Sequence, residues 1–159
     1  SFLALTKPRI VRLQYVFAMA LCYLIGGFTY FIVPGLGPAY AYPDLFAHLR
    51  EIPLITNDVQ NHLMRNTAAA VAGKMPFIET YAYIACMPSL HMAHESVMLF
   101  FSRGSSLFFA GAVAFWIFSY GATLLLGWHY FLDGFAGTAL GIVAIFFSLR
   151  MTRGSQLEK

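Results

Sequence analysis

Two histidines and an aspartate that border apolar stretches are the residues of this chain best placed to do chemistry. His129 and Asp133 stand four positions apart in the segment WHYFLDG. If a helix begins near Trp128, both side chains share one helix face and the carboxylate can hold a ring nitrogen of His129. That contact would fix the imidazole tautomer and turn the other nitrogen into a nucleophile or a base. The same pair is also compatible with a structural polar contact at a helix end.

The second motif is the segment MPSLH, which ends at His91. Ser89 is typical of a helix N-cap and places Leu90 and His91 in the first helical turn. Backbone amides and the positive end of the helix dipole favour an anion there, and a phosphate is the natural guest. His91 could then face His129 across the anion and donate a proton to a leaving oxygen.

Composition indicates that these motifs belong to a membrane protein. Hydrophobic residues make up 59% of the chain and charged residues 11%, and the mean hydropathy is +0.67; an ordinary soluble domain carries about 25% charged residues. We predict an all-α, polytopic transmembrane bundle that forms a single membrane domain over residues 1–159. Four apolar stretches are long enough to cross about 30 Å of hydrocarbon: residues 13–33, 84–101, 107–127 and 131–151. The polar residues 34–83 form an outer interfacial segment.

The cations predict the orientation of the bundle. An even number of crossings places seven of them on one face, which the positive-inside rule makes cytoplasmic: Lys7, Arg9, Arg12, Arg103, Arg150, Arg153 and Lys159. Residues 34–83 and both histidine motifs then lie at the opposite, non-cytoplasmic face. The chain topology therefore predicts that the two motifs meet.

The two cysteines are not expected to form a disulfide. Cys22 lies in the middle of the first predicted span, whereas Cys86 lies near the outer boundary. This difference in depth is too large for the distance that a disulfide requires.

The order of the motifs resembles the type 2 phosphatidic acid phosphatase superfamily, which includes membrane lipid phosphatases and lipid phosphotransferases. The pattern Pro-Ser-x-His at 88–91 precedes His-x-x-x-Asp at 129–133. The segment YFIVPGLGP at 30–38 is similar to the inositol phosphorylceramide synthase branch of this superfamily. The resemblance covers residues 30–147.

This resemblance implies a mechanism without metal, nucleotide or other cofactor. His129 would attack phosphorus to form a phosphohistidine, Asp133 would orient it, and His91 would protonate the leaving alcohol and later deprotonate the acceptor. A water acceptor makes the protein a phosphatase, and a lipid or polyol hydroxyl makes it a phosphotransferase. Members of this branch have six spans, so the four predicted here indicate an N-terminally incomplete chain.

The groups that would neutralise a phosphate depart from the pattern of the superfamily. Its Lys-x6-Arg-Pro motif is absent, and Ala122 and Thr123 stand where a Ser-Arg pair is expected, an arginine that the inositol phosphorylceramide synthase branch also lacks. A phosphate in a partly dry site needs cations or many donors. Lys74 and Arg65 are the candidates on the outer side, and Tyr130 either shapes the head-group pocket or anchors its helix.

Two further classes of function stay open. One is a catalytically impaired lipid-binding or assembly subunit that keeps the fold. The other is a metal or haem protein with His91, His94 and His129 as ligands, which elemental analysis would detect. The expected partners of the enzyme are a lipid phosphate, an alcohol acceptor and the membrane, with no nucleic acid, and the oligomeric state is open.

Overall fold

The computed structural model describes residues 7–33, 35–51, 55–73 and 86–154 of the chain. These residues form helices joined by turns, with no β-strand among them. The predicted all-α fold is therefore confirmed. In chain order the helices are α1 (Arg9–Ile32), α2 (Pro38–Ala41), a 3₁₀ helix (Ala47–Glu51), α3 (Ile55–Val71), α4 (Leu90–Ser102), α5 (Ser106–Leu125) and α6 (Phe131–Gly154).

Three helices, α1, α5 and α6, are long and apolar enough to cross a membrane. They contain 24, 20 and 24 residues, and a rise of about 1.5 Å per residue lets each cross a hydrocarbon core of about 30 Å. Large apolar side chains are exposed along all three, as contact with lipid allows. The protein is an integral membrane protein built as a helical bundle.

The second predicted span, over 84–101, is a shorter helix than expected. α4 contains 13 residues and extends about 20 Å. It begins at Leu90 because Pro88 has no amide hydrogen and Ser89 caps the helix. Residues 84 and 85 lie outside the described residues. In the described part of the chain, three helices rather than four have the length of a span.

α4 packs against α1, α5 and α6, and small residues of α6 let its backbone approach that of α4. A Cβ at Gly137 of α6 would overlap the carbonyl oxygen of Ser89, and one at Gly141 would lie 2.6 Å from the carbonyl oxygen of Ala93. The apolar core below these contacts comprises Ala18, Cys22, Ala93, Val97, Phe101, Leu140, Ala144 and Ile145.

α1 runs antiparallel to α4 and to α6. Its first turns lie at the ends of these helices, where the ring of Tyr15 contacts Phe101 and the side chain of Gln14 donates a hydrogen bond of 2.8 Å to Thr152. Its last turn lies at the start of α4, where the Tyr30 hydroxyl donates to the Pro88 carbonyl at 2.9 Å.

The cations and the histidine motifs consequently lie at opposite ends of the bundle. Lys7 and Arg9 precede or begin α1, Arg103 ends α4, and Arg150 lies near the end of α6. Both histidine motifs lie at the other end, where α4 and α6 begin. The separation predicted from the chain topology is thus confirmed for these residues.

α2 and α3, which lie between α1 and α4 in the chain, pack on the histidine end of the bundle. The Ala39 amide donates to the carbonyl of Gly127 at 2.9 Å, and the Gln60 side chain donates to the carbonyl of Leu126 at 2.9 Å. These contacts fasten α2 and α3 to the turn that joins α5 and α6.

Candidate active site

The structure brings His91 and His129 into direct contact. Nδ1 of His91 lies 3.2 Å from Nε2 of His129, and the two rings meet nearly edge to face with centroids 5.4 Å apart. His91 is carried by the first turn of α4, and His129 lies in the turn just before α6. Two motifs 38 residues apart in sequence therefore form one site.

A main-chain carbonyl determines the tautomer of His129. The imidazole is buried, and Nδ1 lies 2.9 Å from the carbonyl oxygen of Cys86. Because a carbonyl can only accept, Nδ1 carries the hydrogen, and in the neutral ring Nε2 keeps a free electron pair. That pair is directed towards Nδ1 of His91. The more reactive nitrogen of His129 thus points at the second histidine.

Asp133 lies beside His129 without the close hydrogen bond that its spacing suggests. Oδ2 is 3.8 Å from Nδ1 of His129, an ion-pair distance that is too long for a hydrogen bond. The reason is the helix boundary: α6 begins at Phe131 rather than near Trp128, so His129 lacks the helical geometry of an i, i+4 pair. Oδ2 of Asp133 instead accepts the Tyr130 amide at 2.7 Å.

Ser89 caps α4 as predicted. Its hydroxyl oxygen accepts the Met92 amide at 3.4 Å, and its own amide donates to the carbonyl of Asp133 at 3.0 Å. The residue is fully buried, so its side chain serves the helix start, whereas the side chain of His91 is exposed. The backbone bond to Asp133 ties the beginning of α4 to the beginning of α6.

Thr123 holds the turn that carries His129. Its carbonyl oxygen accepts the amides of Trp128 at 2.9 Å and of His129 at 3.3 Å. Gly127 permits this turn because its φ is +70°, and a Cβ there would lie 2.8 Å from the Cβ of Ala39. The position where the superfamily has an arginine is thus occupied by a residue that shapes the turn.

The segment after α1 fixes the loop that orients His129. The Cys86 amide donates to the carbonyl of Gly35 at 3.0 Å, and the ring of Tyr40 packs edge to face on Trp128. Sequence reasoning missed Cys86 and Gly35 as site residues. The glycine-rich segment 30–38, which contains Gly35, was the signal in the sequence, because its resemblance to a family motif indicated that it has a role near the histidines.

The three remaining candidates for phosphate or head-group contacts are Arg65, Tyr130 and Lys74. Arg65 is exposed on α3, and its Nε donates to the carbonyl of Asn61 at 3.3 Å. Tyr130 is about one-third exposed beside His129. Lys74 lies outside the described residues, so its role as a phosphate ligand stays a prediction.

His94, the third ligand of the metal or haem protein considered above, does not face His91 and His129. The ring of His94 lies against Tyr23, with centroids 4.3 Å apart. Among the described residues, no three His, Cys, Asp or Glu side chains are arranged to hold a metal ion.

A family model for the PAP2 superfamily matches residues 1–147, which include both histidine motifs and the helices α2 and α3. The chain belongs to the PAP2 superfamily. Comparison with curated proteins and with solved structures gave no match. PAP2 membership supports a phosphatase or phosphotransferase activity of this integral membrane protein on lipid-type substrates.

Proposed function

We propose that this PAP2 protein cleaves or transfers a phosphate-containing lipid head group through a phosphohistidine on His129, at the non-cytoplasmic face of the membrane. The observation that carries the proposal is the contact of 3.2 Å between Nε2 of His129 and Nδ1 of His91. It gives a nucleophile and a proton donor on opposite sides of one point, as phosphoryl transfer requires.

In the first half of the reaction, Nε2 of His129 attacks phosphorus while the bond from phosphorus to the lipid oxygen breaks. The phosphoryl group enters between the two imidazoles as the exposed ring of His91 turns outward. The proton on His91 moves to the leaving oxygen, and the neutral alcohol departs. The hydrogen bond from Nδ1 to the Cys86 carbonyl stabilises the positive charge that develops on His129.

In the second half, His91 accepts a proton from the incoming hydroxyl, whose oxygen attacks phosphorus as the bond to Nε2 breaks. Water as acceptor releases phosphate, and an alcohol gives a new phosphodiester or phosphomonoester. Both proton transfers use His91, which ends the cycle as it began. The reaction balances without a cofactor.

The negative charge of the phosphate is neutralised in part at the start of α4. Partial burial and the neighbouring His129 lower the pKa of His91, so its protonation depends on the charge of the bound phosphate. The protonated ring then contributes one positive charge, and the helix dipole adds a partial charge at the same end. Arg65 and Lys74 are the proposed additional cations, and Tyr130 is the proposed further substrate contact. Ser89 contributes through the helix start that it caps, and Asp133 is proposed to orient His129.

The cation distribution supports the orientation. Arg9, Arg103 and Arg150 lie at the end of the bundle opposite the histidines, and basic residues favour the cytoplasmic side. The histidine end is then non-cytoplasmic. The resemblance of the segment YFIVPGLGP at 30–38 supports the inositol phosphorylceramide synthase-like branch; this branch predicts head-group transfer to a sphingolipid alcohol.

One observation favours the alternative of an inactive binding subunit, namely Thr123 in place of the expected arginine. The test measures product formation by the purified full chain in vesicles that contain phosphatidate or phosphatidylinositol, with and without ceramide as acceptor. The variant His129→Ala should form no product. His48→Ala, an exposed histidine of the 3₁₀ helix, should match the wild type. Full activity of His129→Ala would contradict the mechanism. If the wild type and both variants are inactive, the result would favour the binding subunit.

A further inference from the structure

The buried face of α1 ends in a tyrosine that reaches the candidate active site. The buried residues of this helix are Ala18, Cys22, Gly26 and Tyr30, and their spacing of four places them along one face. The first three have small side chains, which let α4 approach; a Cβ at Gly26 would lie 2.5 Å from Cδ2 of Leu90. Tyr30, the large member of this series, lies where α4 begins.

The Tyr30 hydroxyl is hydrogen-bonded to the backbone just before α4. It donates to the carbonyl oxygen of Pro88 at 2.9 Å, in a buried position. Tyr30 is only 4% exposed, so its hydroxyl needs a partner inside the protein, and the Pro88 carbonyl supplies it. The need is mutual, because Pro88 is buried as well and its carbonyl needs a donor.

The backbone around Pro88 also contacts both helices of the site. The carbonyl oxygen of Cys86 accepts Nδ1 of His129 at 2.9 Å, and the Ser89 amide donates to the carbonyl of Asp133 at 3.0 Å. Pro88 lies between these two contacts in the chain. A bond that fixes Pro88 therefore limits the rotation of the Cys86 carbonyl and keeps the start of α4 beside the start of α6.

Loss of the hydroxyl would be felt at the nucleophile. A buried carbonyl without a donor is costly, so the Pro88 carbonyl would turn to find another partner. The peptide units between Pro88 and Cys86 would turn with it and move the Cys86 carbonyl away from Nδ1 of His129. The imidazole could then rotate, or take the tautomer with its hydrogen on Nε2, which has no free electron pair for attack.

On the basis of the proposed function, we infer that Tyr30 is a positioning residue of His129, which acts through the bond from its hydroxyl to the Pro88 carbonyl. Because this bond is made to the backbone and not to substrate, its loss should lower kcat and leave KM nearly unchanged. The tautomer of His129 should also become less uniform.

The experiment compares Tyr30→Phe with the wild type in the vesicle assay, because phenylalanine keeps the ring and removes only the hydroxyl. We expect kcat to fall about threefold to tenfold, the size of one hydrogen bond, with KM nearly unchanged. The matched control is Tyr15→Phe, which makes the same change near the other end of α1, where the ring contacts Phe101. It should leave kcat unchanged.

A second readout reports on the ring of His129 directly and does not depend on turnover. The ¹⁵N shifts of His129 in histidine-labelled protein should show a hydrogen on Nδ1 in the wild type and in Tyr15→Phe. Tyr30→Phe should show a larger fraction of the other tautomer. Val97→Ala controls for a general loss of stability, because it opens a cavity in the core at α4 and leaves the Tyr30 hydroxyl in place; its tautomer should match that of the wild type.

Each of several results would overturn the inference. These are an Nε2–H tautomer in the wild type, an unchanged His129 spectrum in Tyr30→Phe, a loss of activity in Tyr30→Phe that lies in KM alone, an unchanged kcat in that variant, or an equal change of tautomer in Val97→Ala. Absence of lipid-phosphate turnover in the wild type would overturn the proposed function instead, and the ¹⁵N shifts would still decide whether Tyr30 positions His129.

Discussion

Residue type alone does not separate the roles of His91 and His129, but their surroundings do. His129 is buried and hydrogen-bonded at Nδ1, so one nitrogen is fixed and the other is free to attack. His91 is exposed on the first turn of α4, where it can exchange protons with solvent or substrate. A nucleophile with one ring nitrogen held and an adjacent proton donor are the two groups that the proposed phosphoryl transfer uses.

The acid role of His91 predicts a dependence on the leaving group. His91→Ala should slow phosphohistidine formation by about 10²-fold to 10⁴-fold for a lipid alkoxide, because general acid catalysis contributes that much. For a lipid analogue with a nitrophenolate leaving group the loss in this step should nearly vanish, since that group departs without a proton. The measurement is the single-turnover rate of phosphohistidine formation with both substrates, because kcat also contains the second step, in which His91 is the base; an equal loss in that rate for both would show that His91 does not act as the acid.

At the scale of helices, the site depends on the close approach of α6 to the start of α4. Gly137 faces the carbonyl of Ser89 with no room for a side chain, and the Ser89 amide bonds to the carbonyl of Asp133. On its other side α4 is joined to α5 by polar bonds, from Ser119 to Glu95 at 2.5 Å and from Trp116 to Ser96 at 3.3 Å.

Gly137→Ala should therefore damage both stability and activity. The added methyl group must push α6 from α4, at a cost of about 1–3 kcal/mol in the free energy of unfolding, and it separates His129 from His91. Gly111→Ala on α5 is the matched control, because a Cβ there has no atom within 4 Å. Thermal unfolding in detergent and phosphate release measure the two effects, and equal behaviour of the two variants would contradict the packing account.

Some features of the helices and their contacts could be predicted from the sequence, and others could not. Ser89 as a cap and the meeting of the two motifs followed from residue types and topology, and the structure bears both out. α6 begins at Phe131, where the fourth predicted span begins, so the helix start near Trp128 on which the His129–Asp133 contact depended does not occur. The carbonyl of Cys86 could not be predicted, since every residue has one and only the folded backbone selects which carbonyl faces a ring.

At the scale of the whole molecule, the basic residues at the helix ends and the candidate active site lie at opposite ends of the bundle. Arg9, Arg103 and Arg150 lie at one end and the contact between His91 and His129 lies at the other. Apolar helices whose outer faces suit lipid join the two ends. Under the proposed function, we expect a lipid substrate to reach the site from the leaflet at the histidine end. The membrane orientation decides which leaflet supplies it.

That orientation predicts which positions react from outside an intact cell. Tyr42→Cys, on an exposed position at the histidine end, should react with a membrane-impermeant maleimide. Ser106→Cys, on an exposed position at the cation end, should react only after permeabilisation. The chain without an added cysteine is the control, because Cys22 and Cys86 are buried. The reverse labelling pattern would place the site at the cytoplasmic face.

The central claim is that His129 carries the phosphoryl group. Its most direct test is rapid quenching of the enzyme with phosphatidate labelled in its phosphate, followed by mapping of the labelled residue by mass spectrometry. The proposed mechanism predicts an acid-labile, alkali-stable label on His129 that forms faster than product is released and is absent from His129→Ala. Label on another residue of the wild type, or label retained by His129→Ala, would contradict it.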